Sequence, residues 1–175
     1  MKTKEVQLKK LVLAALFAAL ACAATMSVRI PTPGTSGYIH PGDAIVILSG
    51  MFLGPQFGFL AAGIGSALAD LLGGYFTYAP VTFLIKGLIA LVTALFAARL
   101  QKSGKRLYPA VLLGGVADII LVAGGYFLFE SVLYGAGAAA MSVPANLVQG
   151  FGGLVIAAVL YPVLAPGFTA IEARI

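Results

Sequence analysis

The sequence predicts an all-α integral membrane protein, a six-helix transmembrane bundle with both termini in the cytoplasm and one domain over residues 1–175. Of these residues, 61% are hydrophobic and only 10% are charged, whereas an average soluble domain has ~45–50% apolar and ~25% charged residues. The apolar residues form runs near the ~20 residues that a helix needs to cross a bilayer. Basic residues lie mainly before the first run, between the fourth and fifth runs, and after the sixth. This distribution predicts the orientation of the spans in the membrane.

Six apolar runs define the predicted spans: residues 8–26, 43–53, 57–72, 80–98, 108–129 and 143–164. The second is short, because eleven residues of helix rise only ~16 Å. We expect it to be tilted, partly extended or re-entrant behind other helices. The first run also has the basic start of a signal peptide, with Ala21-Cys22-Ala23 as a candidate cleavage site. Five further apolar runs favour a retained first helix.

The basic residues predict the orientation of these spans. Nine of the eleven lie before span one, between spans four and five, or after span six: Lys2, Lys4, Lys9, Lys10, Arg99, Lys102, Lys105, Arg106 and Arg174. With six spans these regions share one side of the membrane, and cytoplasmic segments are enriched in Lys and Arg. We therefore expect a multi-pass protein of a prokaryotic cytoplasmic membrane, in which the net charge of +5 reflects topology and not nucleic-acid binding.

Polar residues lie mostly in the outer halves of the spans. They are Asp43, Asp70, Tyr75, Tyr78, Lys86, Tyr126, Glu130, Asn146 and Gln149, while Asp118 lies deeper, near the middle of span five. Ionisable groups inside a membrane are costly, so they are candidates for function. Because the inner halves are almost purely apolar, the pattern predicts a cavity open to the outside. A continuous pore would need polar lining along its full depth.

Structural alternatives exist for several of these residues. The tyrosines also fit an interfacial aromatic belt, and Asp70 with Lys86 fits an ion pair between neighbouring helices. Asn146 and Gln149 share a helix face, which fits an interhelical hydrogen bond. Asp43 is suited to be the N-cap of span two.

Residues 27–42 form the predicted lid. This external segment contains Pro31, Pro33, Gly34, Gly37, Pro41 and Gly42, and is too long for a tight turn. It carries Tyr38 and His40, which a closing loop would bring over the outer cavity. The alternative is an ordinary connection in which His40 has no special role.

Catalysis and metal binding are not expected. The single histidine His40 and the single cysteine Cys22 disfavour a multi-histidine zinc site and exclude a disulfide framework. The chain has no GxxxxGK[ST] motif, so we expect no ATP hydrolysis by this chain. Asp70 and Asp118 lie at different predicted depths, which disfavours aspartyl chemistry. We therefore predict a non-enzyme without a metal or cofactor of its own.

Alanines four residues apart line span one. Ala14 with Ala18, and Ala15 with Ala19, form small strips that allow close helix packing in lipid. The sequence leaves open whether these strips pack within the chain or dock a partner protein.

Several segments together resemble a known family. They are Gly37-Tyr38-Ile39-His40-Pro41-Gly42-Asp43, Gly54-Pro55-Gln56-Phe57-Gly58, the stretch from Gly65 to Tyr75, Lys86-Gly87, and Pro144-Ala145-Asn146-Leu147-Val148-Gln149. The chain resembles the substrate-capture subunits, or S components, of energy-coupling-factor (ECF) vitamin importers, and the riboflavin-type branch most of all.

The resemblance implies one vitamin or precursor bound near the outer face under the first loop. It also implies a transmembrane coupling protein and two ATPase subunits, which use the ATP, and an alanine strip, Ala14, Ala15, Ala18 and Ala19, that meets the coupling protein. The residues listed above at the outer ends of the spans, with Tyr38 and His40, are then the predicted substrate-binding set.

The charges restrict the cargo. Four carboxylates against one lysine in the spans and at their ends disfavour an anionic vitamin such as biotin or folate. Within the family, hydroxymethylpyrimidine or pyridoxine suits this pattern, and riboflavin stays open. Two other classes also stay open: a stand-alone channel or ion-coupled transporter using Asp70, Lys86 and Asp118, and a scaffold subunit without a ligand.

Overall fold

The protein is a bundle of five long helices with a small β-hairpin at one end. The computed structural model describes residues 2–172, with side chains from 6 to 170. The helices are α1 (Lys2–Ser27), α2 (Asp43–Gly73), α3 (Ala79–Lys102), α4 (Tyr108–Tyr134) and α5 (Ala136–Glu172). Strands β1 (Ile30–Pro31) and β2 (Tyr38–Ile39) pair antiparallel between α1 and α2. All five helices are long and apolar enough to cross a membrane.

Helix α2 contains the second and third predicted spans, so the chain has five helices where the sequence predicts six. Gly54 interrupts α2 with a left-handed φ of 74° and ψ of −176°, and Pro55 suits the first turn of the segment that follows. A Cβ on Gly58 would lie 2.9 Å from the carbonyl oxygen of Ser49, although nine residues of straight helix rise ~13.5 Å. The chain therefore reverses at Gly54, and α2 consists of two arms, residues 43–53 and 55–73.

The last helix begins well before its predicted span. The sequence predicts a span over residues 143–164, whereas α5 starts at Ala136. The preceding stretch is rich in glycine and alanine, and alanine is the best helix former, so helical structure extends beyond the most apolar residues. These additional turns bring Ser142 into the bundle, where it is fully buried.

The bundle has two chemically different ends. At the polar end, Asp43 and Asp70, from opposite ends of α2, bond to Gln149 of α5 and to Tyr38 of β2. At the basic end, the reversal of α2 meets the start of α1, the end of α3 and the end of α5 around one cavity lined by Lys10, Gly54, Gln101 and Phe168, among others. The two arms of α2 therefore run from the polar end to the basic end and back.

Packing between α1 and α2 separates the two alanine strips. Ala14 is 6% exposed and faces the bundle. Ala18 faces the second arm of α2, where a Cβ on Gly65 would lie 2.9 Å from the Ala18 Cα. Ala15 and Ala19 are exposed. Ala14 and Ala18 therefore pack against the bundle, and both also line the surface groove to which the exposed Ala15 and Ala19 belong.

Candidate functional site

A small cavity lies at the polar end under the first loop, residues 28–42. It is lined by Gly37, Tyr38, His40, Asp70, Tyr78, Thr82, Tyr126, Glu130 and Asn146. Its volume is about 20 Å³, which is on the order of one water molecule. Gly37, Tyr38 and His40 of the loop form part of the lining, and a cavity of this size admits an organic ligand only if the loop moves outward.

Glu130 organises one wall of the cavity. Its side chain is 1% exposed; Tyr78 donates its hydroxyl to Oε1 at 3.0 Å, and Ser142 donates to Oε2. The amide of Asn146 donates to the Ser142 hydroxyl at 3.4 Å. These bonds join α3, α4 and α5. A buried carboxylate with two hydroxyl donors is well oriented to accept a further hydrogen bond from a ligand.

Asp70 connects the opposite wall to the loop. Tyr38 donates its hydroxyl to Asp70 Oδ1 at 2.7 Å, and the Tyr38 ring lies 4.5 Å from the ring of Tyr75 and 5.7 Å from the Arg29 guanidinium carbon. Asp70 Oδ2 is buried and has no hydrogen-bond partner among the described residues. The hydrogen bond from Tyr38 to Asp70 therefore helps to hold the loop over the cavity. Asp70 Oδ2 can accept a further donor.

The buried Lys86 pairs with Asp43 and not with Asp70, the partner considered from sequence. Lys86 Nζ lies 2.5 Å from Asp43 Oδ1, and both side chains are fully buried. Gln149 donates to Asp43 Oδ2 at 2.8 Å and accepts the His40 backbone N–H at 3.0 Å. Two sequence-based alternatives are therefore wrong. Lys86 does not pair with Asp70, and Asp43 is not the N-cap of α2, a position that Gly42 occupies.

Asp118 lies close to Asp43 but outside its hydrogen-bond network, since a Cβ on Gly153 would lie 2.7 Å from the Asp43 Cβ and 3.2 Å from Asp118 Oδ2. The Asp118 side chain is fully buried, and neither carboxylate oxygen has a hydrogen-bond partner in the part of the chain that the structure describes. The described hydrogen bonds do not join Asp70, Lys86 and Asp118, since Lys86 bonds to Asp43 and Asp70 bonds to Tyr38. The described residues therefore contain no hydrogen-bonded chain through Asp70, Lys86 and Asp118.

Burial fixes the protonation of three groups outside the helices. It lowers the pKa of His40 to about 4, so the imidazole is neutral at pH 7 and its Nδ1 accepts the Gly42 N–H at 3.1 Å. Burial, together with the bond to Asp70, raises the pKa of Tyr38. Burial likewise raises the pKa of Tyr78. Both phenols therefore stay protonated and act as donors to carboxylates.

The structure brings together most of the substrate-binding residues predicted from sequence. Those that line the cavity are Tyr38, His40, Asp70, Tyr78, Tyr126, Glu130 and Asn146. Asp43, Lys86 and Gln149 lie behind the wall in their own network, and the Tyr75 ring packs against the Tyr38 ring at an interplanar angle of 46°. A direct contact of each with a ligand stays a prediction.

Sequence reasoning missed three contributors: Gly37, Thr82 and Ser142. Thr82 shares a hydrogen bond of 2.9 Å with the Tyr126 hydroxyl. It precedes Lys86 by four residues and Ser142 precedes Asn146 by four, so helical spacing alone places each hydroxyl beside a residue already predicted.

Comparisons with known proteins agree with this architecture. Residues 5–166 match the sequence profile of the family described as ECF-type riboflavin transporter, S component. A protein of Pyrococcus woesei described as an uncharacterized protein in gap 3′ region is 38% identical over 132 residues, which cover 75% of this chain and 85% of that protein. The thiamine precursor transporter HmpT of Lactococcus lactis is 28% identical over 158 residues, which cover 90% of this chain and 88% of HmpT.

Two solved structures share the fold. The S component of a bacterial ECF transporter superposes with a TM-score of 0.64 at 20% identity, covering 91% of this chain and 97% of that one. The S component for biotin from an ECF-type ABC transporter superposes with a TM-score of 0.56 at 18% identity, covering 90% and 93%. The resemblance noted from sequence is thereby confirmed: this chain belongs to the ECF-type riboflavin transporter S component family, whose members are substrate-binding membrane subunits of ECF importers.

Proposed function

We propose that this subunit captures a small neutral or weakly basic heterocycle with N–H or O–H donors, of the hydroxymethylpyrimidine or pyridoxine type, at the outer face of the membrane. The cargo then passes inward with a transmembrane coupling protein and two ATPases. This chain needs no cofactor of its own, because the ATP is used by the partners.

One observation carries this choice of cargo. The lysine nearest the cavity, Lys86, is already neutralised by Asp43 behind the wall, whereas the cavity itself presents the carboxylates Asp70 and Glu130. A carboxylate on the cargo would meet like charge at both walls, and like charges juxtaposed out of water are strongly unfavourable. Donor groups on the cargo would instead complete the hydrogen bonding of Asp70 Oδ2.

Riboflavin is the second candidate, favoured by the description of the matching family and by the tyrosines Tyr38, Tyr78 and Tyr126 around the cavity, whose rings can stack on a flat ligand. Because the cavity measures about 20 Å³, either cargo requires the first loop to open. The larger riboflavin requires the greater displacement.

A direct test is mass spectrometry of small molecules that stay bound through purification, followed by calorimetry with hydroxymethylpyrimidine, pyridoxine, riboflavin and biotin. We expect one of the first three to bind and biotin to fail. Biotin as the tightest of the four would overturn the proposed cargo class, and binding by none of them would favour a subunit without a ligand.

The orientation of the bundle follows from its charged end. Because α2 returns to the polar end, the basic end carries the starts of α1 and α4 and the ends of α3 and α5. We therefore place the basic end, and with it both termini, in the cytoplasm. In a Cys22→Ala background, Lys102→Cys is expected to resist a membrane-impermeant thiol reagent in whole cells, and Ser36→Cys in the exposed first loop to react. Labelling of Lys102→Cys from outside would reverse this topology.

The outward strip of α1 is the proposed surface for the coupling protein. Ala15 and Ala19, together with Ala14 and Ala18, line a groove of about 410 Å³ between α1 and the second arm of α2. The groove is otherwise apolar, and its α2 side includes Phe57, Leu60 and Ile64. Small residues beside such a groove allow a partner helix to approach closely.

Filling this groove should separate transport from cargo binding. Ala15→Leu or Ala19→Leu is expected to reduce transport by the assembled complex at least tenfold, because the added side chain keeps the partner helix at a distance. Cargo affinity of the isolated subunit should stay unchanged. Ala170→Leu, an equivalent change at an exposed position of α5, is the control for transport and binding. Equal losses of binding and transport in Ala15→Leu would assign the strip to internal packing.

A further inference from the structure

A second cavity, separate from the cargo site, lies at the basic end. Its volume is about 250 Å³, which exceeds that of the polar-end cavity. It is lined by Lys10 and Leu13 of α1, residues 50–55 at the reversal of α2, Ala94, Ala97, Ala98 and Gln101 of α3, and Phe168 of α5. Four of the five helices therefore contribute to it.

Most of the lining of this cavity is apolar, and Lys10 and Gln101 are its polar side chains. The Phe52 and Phe168 rings stack with centroids 4.0 Å apart and an interplanar angle of 11°, which makes a flat wall of two elements. The α3 side consists of alanines, whose small side chains leave the space unfilled. Such a surface suits a hydrocarbon chain and offers few partners to a polar solute.

The charged side chains that the structure describes at this end are basic. Lys10 is exposed there, and the described basic side chains of this end also include Arg99, Lys102, Lys105 and Arg106. Of the four carboxylates whose side chains the structure describes, three bond or line the cavity at the polar end and the fourth, Asp118, lies in the middle of α4. A largely apolar slot with Lys10 in its lining is complementary to an amphiphile with an anionic head.

We propose that this cavity binds an anionic phospholipid, with part of an acyl chain between Phe168 and the alanines of α3 and with the phosphate beside Lys10. Juxtamembrane lysines attract anionic lipid head groups through their charge. A free phosphate would gain the charge interaction alone and would leave the apolar slot unused. The assignment does not depend on the cargo; it rests on the proposed topology only in placing the lipid in the cytoplasmic leaflet.

The test is lipid titration of the purified subunit followed by native mass spectrometry. Phosphatidylglycerol and phosphatidylcholine with identical acyl chains are the probes. Glycerol phosphate, which has no acyl chain, tests whether the head group alone is recognised. We expect one phosphatidylglycerol to be retained in preference to phosphatidylcholine, and glycerol phosphate not to compete. Lys10→Gln should lower phosphatidylglycerol retention roughly fivefold, as expected for one lysine near a lipid surface. Lys105→Gln, the same change away from the cavity lining, should leave it unchanged.

A second variant tests the acyl slot. Ala98→Phe fills the cavity from α3 and is expected to reduce retention of both lipids, while cargo affinity, measured in the same preparation, reports that the bundle is folded. Equal retention of the two lipids, or equal effects of Lys10→Gln and Lys105→Gln, would overturn the proposal. So would lipid retention that is unchanged in Ala98→Phe while assembly with the coupling protein is lost, since that result assigns the cavity to the partner.

Discussion

Replacing Lys86 with methionine is expected to destabilise the folded subunit by about 3–5 kcal/mol, because it leaves one charge of a buried ion pair without its partner. Asp43 and Lys86 are both fully buried, with Oδ1 and Nζ 2.5 Å apart. Gln149 remains as a donor to Asp43, but an amide dipole does not neutralise a carboxylate. Thermal unfolding of the purified subunit in detergent, compared with wild type, measures the loss.

The double variant Lys86→Met with Asp43→Asn separates the charge from the packing. It removes both charges and keeps an oxygen acceptor for Gln149, so it should recover most of the lost stability, since neutral replacements of a buried pair are often tolerated. Lys102→Met, at an exposed position of the basic end, controls for the change of residue type. If the single and double variants unfold alike, the pair contributes through shape and not through charge.

The ion-pair partner of Lys86 could not be predicted from the sequence. Depth along each span is readable from sequence, and it places Asp43, Asp70 and Lys86 at one end of the bundle. The reversal of α2 brings both carboxylates to the same end as Lys86, so depth alone does not distinguish them. The rotation of each helix about its own axis determines which carboxylate faces Lys86. For Asp70, this rotation depends on how the second arm of α2 packs against α1 and α3.

The same limit explains the helix count and the alanine strips. The motif Gly54-Pro55 predicts a break, but sequence does not tell whether a loop or a single non-helical residue follows. Ala14 and Ala15 are adjacent and are the same residue type, so the sequence alone does not tell which of them faces the bundle. The approach of Gly65 to Ala18 and the burial of Ala14 show that these two residues pack within the chain.

Cargo binding should fall roughly tenfold to a hundredfold in Asn146→Ala, since an unpaired buried polar group costs about 1–3 kcal/mol and each 1.4 kcal/mol is about tenfold. Asn146 is 4% exposed, lines the cavity and bonds to Ser142, which in turn donates to Glu130. Its loss should remove a predicted partner of the cargo and loosen the Glu130 wall. Calorimetry with the native cargo measures the effect, and Arg99→Ala, exposed at the opposite end, should retain wild-type affinity.

Glu130→Gln gives the sharper result because the sign of its effect depends on the cargo. The substitution keeps the shape of the side chain and removes the negative charge that accepts bonds from Tyr78 and Ser142. A neutral or weakly basic cargo that donates to this carboxylate should lose at least tenfold in affinity, since hydrogen bonds to charged groups contribute about 1.5–3 kcal/mol. An anionic cargo would instead bind more tightly, because a repulsive charge is gone. Unchanged affinity in both Asn146→Ala and Glu130→Gln would place the cargo outside this cavity and leave its polar network a purely structural role.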